Sequence, residues 1–208
     1  MPLSDEATVT RWAHPEKLWK VRTRPFREAH VFTRLHHDTE DGLREIYLAL
    51  RSYTDADGRE WTEIRLPMRP NGTTGWVPRE ALGKFHLVTT SLRIDRTRLR
   101  ATLYRDGRRI WSAPVGVGKR SSPTPSGRFY VRERLRPEPG TIYGALAFGT
   151  SAYAVLSDWP GGGVVGIHGT DQPELIPGRP SHGCIRLRAA ALRRLGELMP
   201  NGTPVYIV

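Results

Sequence analysis

Cys184 is the single cysteine of this 208-residue chain, and it stands in Ser181-His182-Gly183-Cys184. A second histidine, His168, lies sixteen positions upstream in Gly166-Ile167-His168-Gly169-Thr170. A thiol attacks a carbonyl only as thiolate, and unaided it is little ionised at neutral pH. An imidazole within hydrogen-bond reach can take the proton and later return it to a leaving amine. Both His168 and His182 qualify. An extended 182–184 segment would turn His182 and Cys184 to one side. A strand ending at His168 would bring that ring in from across a sheet. Gly183 lacks a Cβ, so the backbone there can aim the N–H groups of Gly183 and Cys184 at a developing oxyanion. One such donor is worth about 3–4 kcal/mol of barrier. Plainer readings stand beside these: a lone cysteine is often a small buried apolar residue, and Gly183 could be a turn glycine. His168, Asp171, His182 and Cys184 are also zinc-ligand types. A four-cysteine metal site and an internal disulfide are excluded by the count.

The elements that must position these residues read as mainly β. With 21 Gly and 17 Pro the chain is rich in turns, and long helices are not expected. Residues 1–15 read as a polar lead-in. From Leu18 to Lys84 the chain reads as short strands. Leu43 to Leu50 is rich in strand formers, Asp55-Ala56-Asp57-Gly58 signals a turn, and Trp61 to Leu66 alternates apolar with polar. Asn71-Gly72 marks another turn before Thr74-Gly75-Trp76-Val77-Pro78. Trp61 and Trp76 read as core residues, with a ligand groove as the alternative. After a junction over 84–92, Leu92 to Ile94 and Leu99 to Tyr104 have period two. Asp106-Gly107 then makes a hairpin turn, Ile110 to Val117 returns, and Ser121 to Gly127 is a loop before Arg128 to Val131. Gly161-Gly162-Gly163 reads as flexible, and Val164 to His168 as a buried strand that presents His168. Leu192, Leu195, Gly196 and Met199 make one apolar face on a helix from about Arg188 to Met199, stopped by Pro200-Asn201-Gly202.

Net charge is +11, which favours polyanionic surroundings. The basic residues are scattered, and only Lys17, Lys20, Lys84 and Lys119 are lysine. Nucleic acid is therefore not the expected partner. No apolar run is long enough for a transmembrane helix. Met1 to His14 carries no apolar signal core, so no signal peptide is expected in this chain.

Taken together, His168-Gly169-Thr170 and Ser181-His182-Gly183-Cys184-Ile185-Arg186-Leu187, with thirteen residues between the two histidines, resemble the signature of L,D-transpeptidases. The Thr124-Pro125-Ser126-Gly127-Arg128-Phe129 loop and the hairpin at Tyr104-Arg105-Asp106-Gly107 resemble recurrent elements of the same family. The resemblance spans about residues 86–208. Residues 16–84, with their Gly-Trp-Val strand, resemble a bacterial SH3-like barrel. The resemblance implies a curved mixed β-sheet with one helix near the C-terminus, and peptidoglycan stem peptides as substrate. Cys184 would attack the carbonyl of the diamino acid at stem position three, release D-alanine, and pass the acyl group to a side-chain amine of another stem as a 3→3 cross-link. It makes His168 the base, oriented by the Gly169 carbonyl, with Gly183 and Cys184 as oxyanion donors and His182 and Ser181 as support. Arg186 stands where many members have asparagine, and would pair with a substrate carboxylate or with a structural acid. Water as acceptor would make an L,D-carboxypeptidase, and a degenerate site would leave a wall-binding protein. No cofactor or metal is implied, and carbapenem-type inhibitors are expected to acylate the thiol. Wall chemistry implies an extracytoplasmic location, hence an export signal on the native precursor, or a chain that is a truncated form.

Overall fold

Short strands rich in β-branched and aromatic residues, cut by Gly and Pro, leave one face of each sheet to be covered. In the computed structural model, which describes residues 1–138, 140–156 and 160–208, two sheets meet this need. The first holds β1 (Thr10–Ala13), β2 (Lys20–Arg22), β3 (Val31–Arg34), β4 (Tyr47–Thr54), β5 (Glu60–Arg65), β6 (Thr74–Pro78) and β7 (His86–Val88). Its spatial order is β3-β2-β6-β5-β4-β1-β7. Val21, Tyr47, Ile64, Val77 and Ala13, drawn from five of these strands, form one core, so the sheet wraps around its own apolar face. Among the described residues no pairing joins β3 to β7, and the ladder is not closed.

Two boundaries differ from the sequence reading. The stretch taken as a polar lead-in contributes β1, an interior strand between β4 and β7, with Thr10 and Ala13 buried. Only four residues long, β1 has too little pattern to stand out from polar neighbours. The strand expected at Leu43 to Leu50 begins at Tyr47 and runs to Thr54. Trp61 is buried with its Nε1–H donated to Asp55 Oδ2 at 2.8 Å, and Trp76 is also buried, so both are core residues.

The second sheet holds β8 (Thr90–Asp95), β9 (Arg100–Arg105), β10 (Arg108–Pro114), β11 (Gly116–Gly118), β12 (Gly127–Leu135), β13 (Ala147–Tyr153), β14 (Val164–His168), β15 (Gly178–Ser181), β16 (Ile185–Arg186) and β17 (Pro204–Ile207). Its order is β10-β9-β8-β17-β12-β13-β14-β16-β11-β15, mixed parallel and antiparallel. Asp106 and Gly107, both at positive φ, close the two-residue β9–β10 hairpin as a type I′ turn requires. Helix α1 (Ala189–Leu198) packs Leu192, Leu195 and Gly196 on the sheet, within one residue of the expected ends. Each fully buried leucine stabilises by about 1.5–3 kcal/mol. The sheet face bearing Phe148, Ile167 and Ile185 is this core. The opposite face of the same strands is the one that carries chemistry. No described helix is long and apolar enough to cross a membrane.

The halves join through polar contacts, those of Arg132 and Tyr130 buried and those of Arg69 nearer the surface. Arg132 of β12 pairs with Glu45 through two N–H donors, and the Tyr130 hydroxyl donates to Ile46 O at 3.0 Å. Arg69 donates to Ala154 O at 2.8 Å and Gly162 O at 3.0 Å.

Candidate active site

Strand register assembles the site. β13, β14 and β16 are adjacent, with Gly149 opposite Gly166 and Ile167 opposite Ile185. Residues directly across a ladder share a face. Since Phe148, Ile167 and Ile185 point into the core, Gly149, Gly166 and Cys184 point away from it, with His168 two residues beyond Gly166 on the same side. A Cβ built on Gly166 would stand 3.5 Å from His168 Cδ2 and 3.8 Å from Cys184 Sγ. Thiol and imidazole therefore share the space above a missing side chain. Cys184 is partly exposed and not sealed in the core.

His168 Nδ1 lies 2.7 Å from Gly169 O. A carbonyl only accepts, so Nδ1 carries the hydrogen and Nε2 keeps its lone pair. The Cδ2–Nε2 edge is the one turned toward the thiol side. Burial pushes the His168 pKa down to about 4, with the positive charge of Arg186 adding to the shift. Burial also raises the Cys184 pKa, against the Gly166 N–H and Arg186, which lower it. The two shifts favour a resting pair of neutral thiol and neutral imidazole, so the thiolate forms when a proton moves to Nε2. The Gly166 N–H, 3.4 Å from Sγ, is a donor ready for the anion.

The turn before the cysteine is held by its own residues. Ser181 Oγ donates to Cys184 O at 2.6 Å and accepts the Gly183 N–H at 3.2 Å. Gly183 adopts φ +134°, and a Cβ there would meet the Ala154 Cβ at 2.9 Å, so conformation and room both require glycine. Thr124 Oγ1 donates to Gly183 O at 2.7 Å, which ties the 121–127 loop to the turn. Residues 182–184 form a bend rather than an extended strand. His182 Nε2 instead lies 2.8 Å from Lys119 Nζ. An ammonium only donates, so that nitrogen of His182 is the acceptor.

Arg186 sits beside His168 in register, is partly exposed, and has no acidic partner among the described ion pairs. Its Nε is buried without a hydrogen-bond partner among the described residues. Among the described residues no group of three or more His, Cys, Asp or Glu is placed to hold a metal, so the zinc alternative has no ligand set.

Sequence reasoning passed over several participants. Tyr143 packs its ring edge-on to His168 at 4.9 Å between centroids, and its carbonyl accepts the Gly169 N–H at 2.7 Å. Lys119 and Gly166 were missed too. Gly166, two residues before His168, had a signal in period-two alternation; Tyr143 and Lys119 had none, because only the fold brings them near. Two cavities open at the thiol. One, lined by Ile142, Ala154, His182 and Arg186, is narrow. The other, about 520 Å³, runs over Gly166 and Gly149 toward Asp41. Both include Cys184, His168, Tyr143 and Val164.

Residues 89–207 match the YkuD family model, described as an L,D-transpeptidase catalytic domain. A putative L,D-transpeptidase YkuD of Bacillus licheniformis is 35% identical over 105 residues, 50% of this chain and 57% of that protein. Its Bacillus subtilis counterpart is 36% identical over 106 residues, 51% of this chain and 58% of that one. The chain thus spans little more than half the length of these relatives. A crystal structure of an L,D-transpeptidase from Mycobacterium tuberculosis superposes with a TM-score of 0.52 at 13% identity, over 94% of this chain and 98% of that one. That is a likeness of fold.

Proposed function

Since residues 89–207 carry the match, this chain belongs to the YkuD family of L,D-transpeptidase catalytic domains, and we propose that it forms 3→3 cross-links between peptidoglycan stem peptides through a thioester on Cys184. The observation that carries this reading is the space above Gly166, bordered at once by Cys184 Sγ and the lone-pair edge of His168. In the first step His168 Nε2 takes the thiol proton while sulfur adds to the carbonyl of the diamino acid at stem position three. The Cys184 N–H donates to the oxyanion; the Gly183 N–H is already engaged by Ser181 Oγ. Collapse of the adduct returns the proton from His168 to the departing D-alanine amine and leaves the thioester. In the second step a side-chain amine of another stem attacks, His168 takes its proton, and the thiol is restored.

The leaving amine and the attacking amine must occupy the same position in turn. The narrow cavity beside Arg186 suits both, and Arg186, with no acidic partner among the described residues, would hold the D-alanine carboxylate by a bidentate pair. Two openings at one thiol favour a second peptide over water as acceptor. The N-terminal half, read as an SH3-like module, would lie against the wall with the chain's positive charge, in an extracytoplasmic setting.

Intact mass after mixing with a carbapenem tests the nucleophile: one adduct on Cys184 is expected, and none on Cys184→Ala. Purified protein given disaccharide-tetrapeptides should release D-alanine and yield dimers. Tripeptide monomers alone would make it a carboxypeptidase, and full turnover by Cys184→Ala would end the proposal.

A further inference from the structure

Glu133 of β12 is 1% exposed and half-partnered. One carboxyl oxygen accepts the Thr39 hydroxyl; the other, Oε1, is buried with no hydrogen-bond partner. An orphaned buried acceptor is costly unless something satisfies it. Its position is set by an irregularity in the β12–β13 ladder. Val131 opposes Thr150 and Glu133 opposes Gly149, so one extra residue, Arg132, is accommodated between them. Bulges of this kind re-aim side chains near functional sites. Here the shift turns Glu133 onto the face that carries Cys184.

The result is a row across three strands, Glu133 opposite Gly149 and Gly149 opposite Gly166, which continues to Cys184 just before β16, whose Sγ lies 3.4 Å from Gly166 N. The two middle members have no side chain, and both floor the cavity of about 520 Å³. A Cβ on Gly149 would collide with Glu133 Oε1, so the carboxyl overhangs that glycine as the thiol overhangs Gly166. Asp41, an exposed residue of the N-terminal half, lines the same cavity. The far end of the trough is thus acidic, although Arg136 also borders it and Glu138 lies opposite in charge.

A Cβ on Gly149 would lie 2.3 Å from Glu133 Oε1 and one on Gly166 3.8 Å from Cys184 Sγ, and with about 5 Å between opposed Cβ positions carboxyl and thiol are at most ~11 Å apart. From carbonyl carbon to terminal nitrogen, the extended side chain of a diamino acid spans roughly 7 Å at standard bond lengths. Adding about 3 Å for the approach of sulfur to the carbonyl and about 3 Å for the N–H···O contact gives roughly 13 Å for a fully extended side chain, so one bent torsion lets it reach from thiol to carboxyl.

We propose that this glycine-floored trough binds the side-chain ammonium of the acyl donor's diamino acid, with Glu133 Oε1 as its acceptor and Asp41 at its rim. The inference rests on the reading of Cys184 as the acylated residue. It goes further in naming what the donor must carry. Burial, aided by the charge of Asp41, raises the Glu133 pKa to about 7, as expected of a carboxyl that awaits a cation.

The test compares tetrapeptide donors differing only in the terminal amine: lysine against norleucine, and diaminopimelate against 2-aminopimelate. Release of D-alanine gives kcat/KM for each. Wild type should favour the amine-bearing donor by ~10–100-fold, the range for a hydrogen bond to a charged group. Glu133→Gln should bring that ratio below ~3-fold and Asp41→Asn should lower it by a smaller factor. The ratio is the readout because a merely damaged fold slows both donors alike. A wild-type enzyme indifferent to the amine, or a ratio unchanged in Glu133→Gln, overturns the proposal. Should that variant not fold, an unchanged ratio in Asp41→Asn does so. No D-alanine from any donor, with no carbapenem adduct on Cys184, would instead defeat the acyl-enzyme reading itself.

Discussion

Glu45 and Glu133 are each 1% exposed, and they belong to two different kinds of region. Glu45 lies in the junction between the sheets, where both its oxygens receive N–H donors from Arg132. Arg132 also reaches Glu40 at 2.8 Å, and Glu40 accepts the Tyr153 hydroxyl at 2.6 Å. Glu133 Oε1 lies over Gly149, which floors the trough; it and, across the face, Arg186 Nε are buried without hydrogen-bond partners among the described residues. In the junction every charge meets a counter-charge, although Arg132 Nη1 faces Glu40 without hydrogen-bond geometry; on the thiol's face Glu133 Oε1 and Arg186 Nε meet none among the described residues. Buried charge that is fully paired joins parts together, whereas buried polar atoms left unpaired beside a thiol and two glycines are poised for a ligand.

That contrast can be broken from either side. The largest effect is expected on the open side: His168→Gln should lower kcat/KM for D-alanine release by ~10²–10⁴, the usual worth of a general base, with carbapenem acylation of Cys184 slowed in parallel. On the saturated side, Glu45→Ala leaves the buried Arg132 with only the partly exposed Glu40 as counter-charge. It should cost about 3–5 kcal/mol, read by denaturant unfolding, and a loss below about 1 kcal/mol would mean that water or Glu40 takes over the pairing.

A pH series sharpens the comparison. His168 is held at about 4, below its ordinary 6.5, so the unfolded chain binds more protons in that interval. Its contribution to stability is complete above pH 6.5 and is lost as pH falls toward 4. Glu133 is raised to about 7 from 4.5, so the folded chain binds more protons, and stability falls as pH rises from 4.5 to 7. The two slopes oppose one another. Relative to wild type, His168→Gln should therefore become less stable, and Glu133→Gln more stable, as pH is raised from 4.5 to 6.5. Parallel curves for both variants would contradict the assigned shifts. The smallest effect is expected for Tyr130→Phe, which removes one buried hydrogen bond to Ile46 O. About 1 kcal/mol is the expected loss, measured as a shift in unfolding midpoint with acyl transfer retained.

Local signals reached far into the catalytic half. Turn chemistry at Asp106-Gly107, the apolar face of Leu192, Leu195 and Met199, and the strand leading to His168 all depend on neighbours in sequence, and each was readable there. The lead-in that became β1 was not, because its burial comes from β4 and β7, far away along the chain. Nor was the choice between the histidines. Spacing alone left both open, and only the family resemblance pointed to His168; in the structure the bend at Gly183 carries the His182 ring toward Lys119 while the sheet brings His168 to the cysteine's side.

The sequence by itself determined the reacting types: one thiol, two imidazoles, and a glycine between His182 and Cys184. Those identities are chemical and need no fold to be known. Only the tertiary structure decided which imidazole lies on the thiol's side, that Arg186 meets no acid among the described residues, and that Glu133 turns to the thiol's face. These follow from strand register and from one extra residue in β12, and register is set by cross-strand packing between segments that lie far apart in the chain.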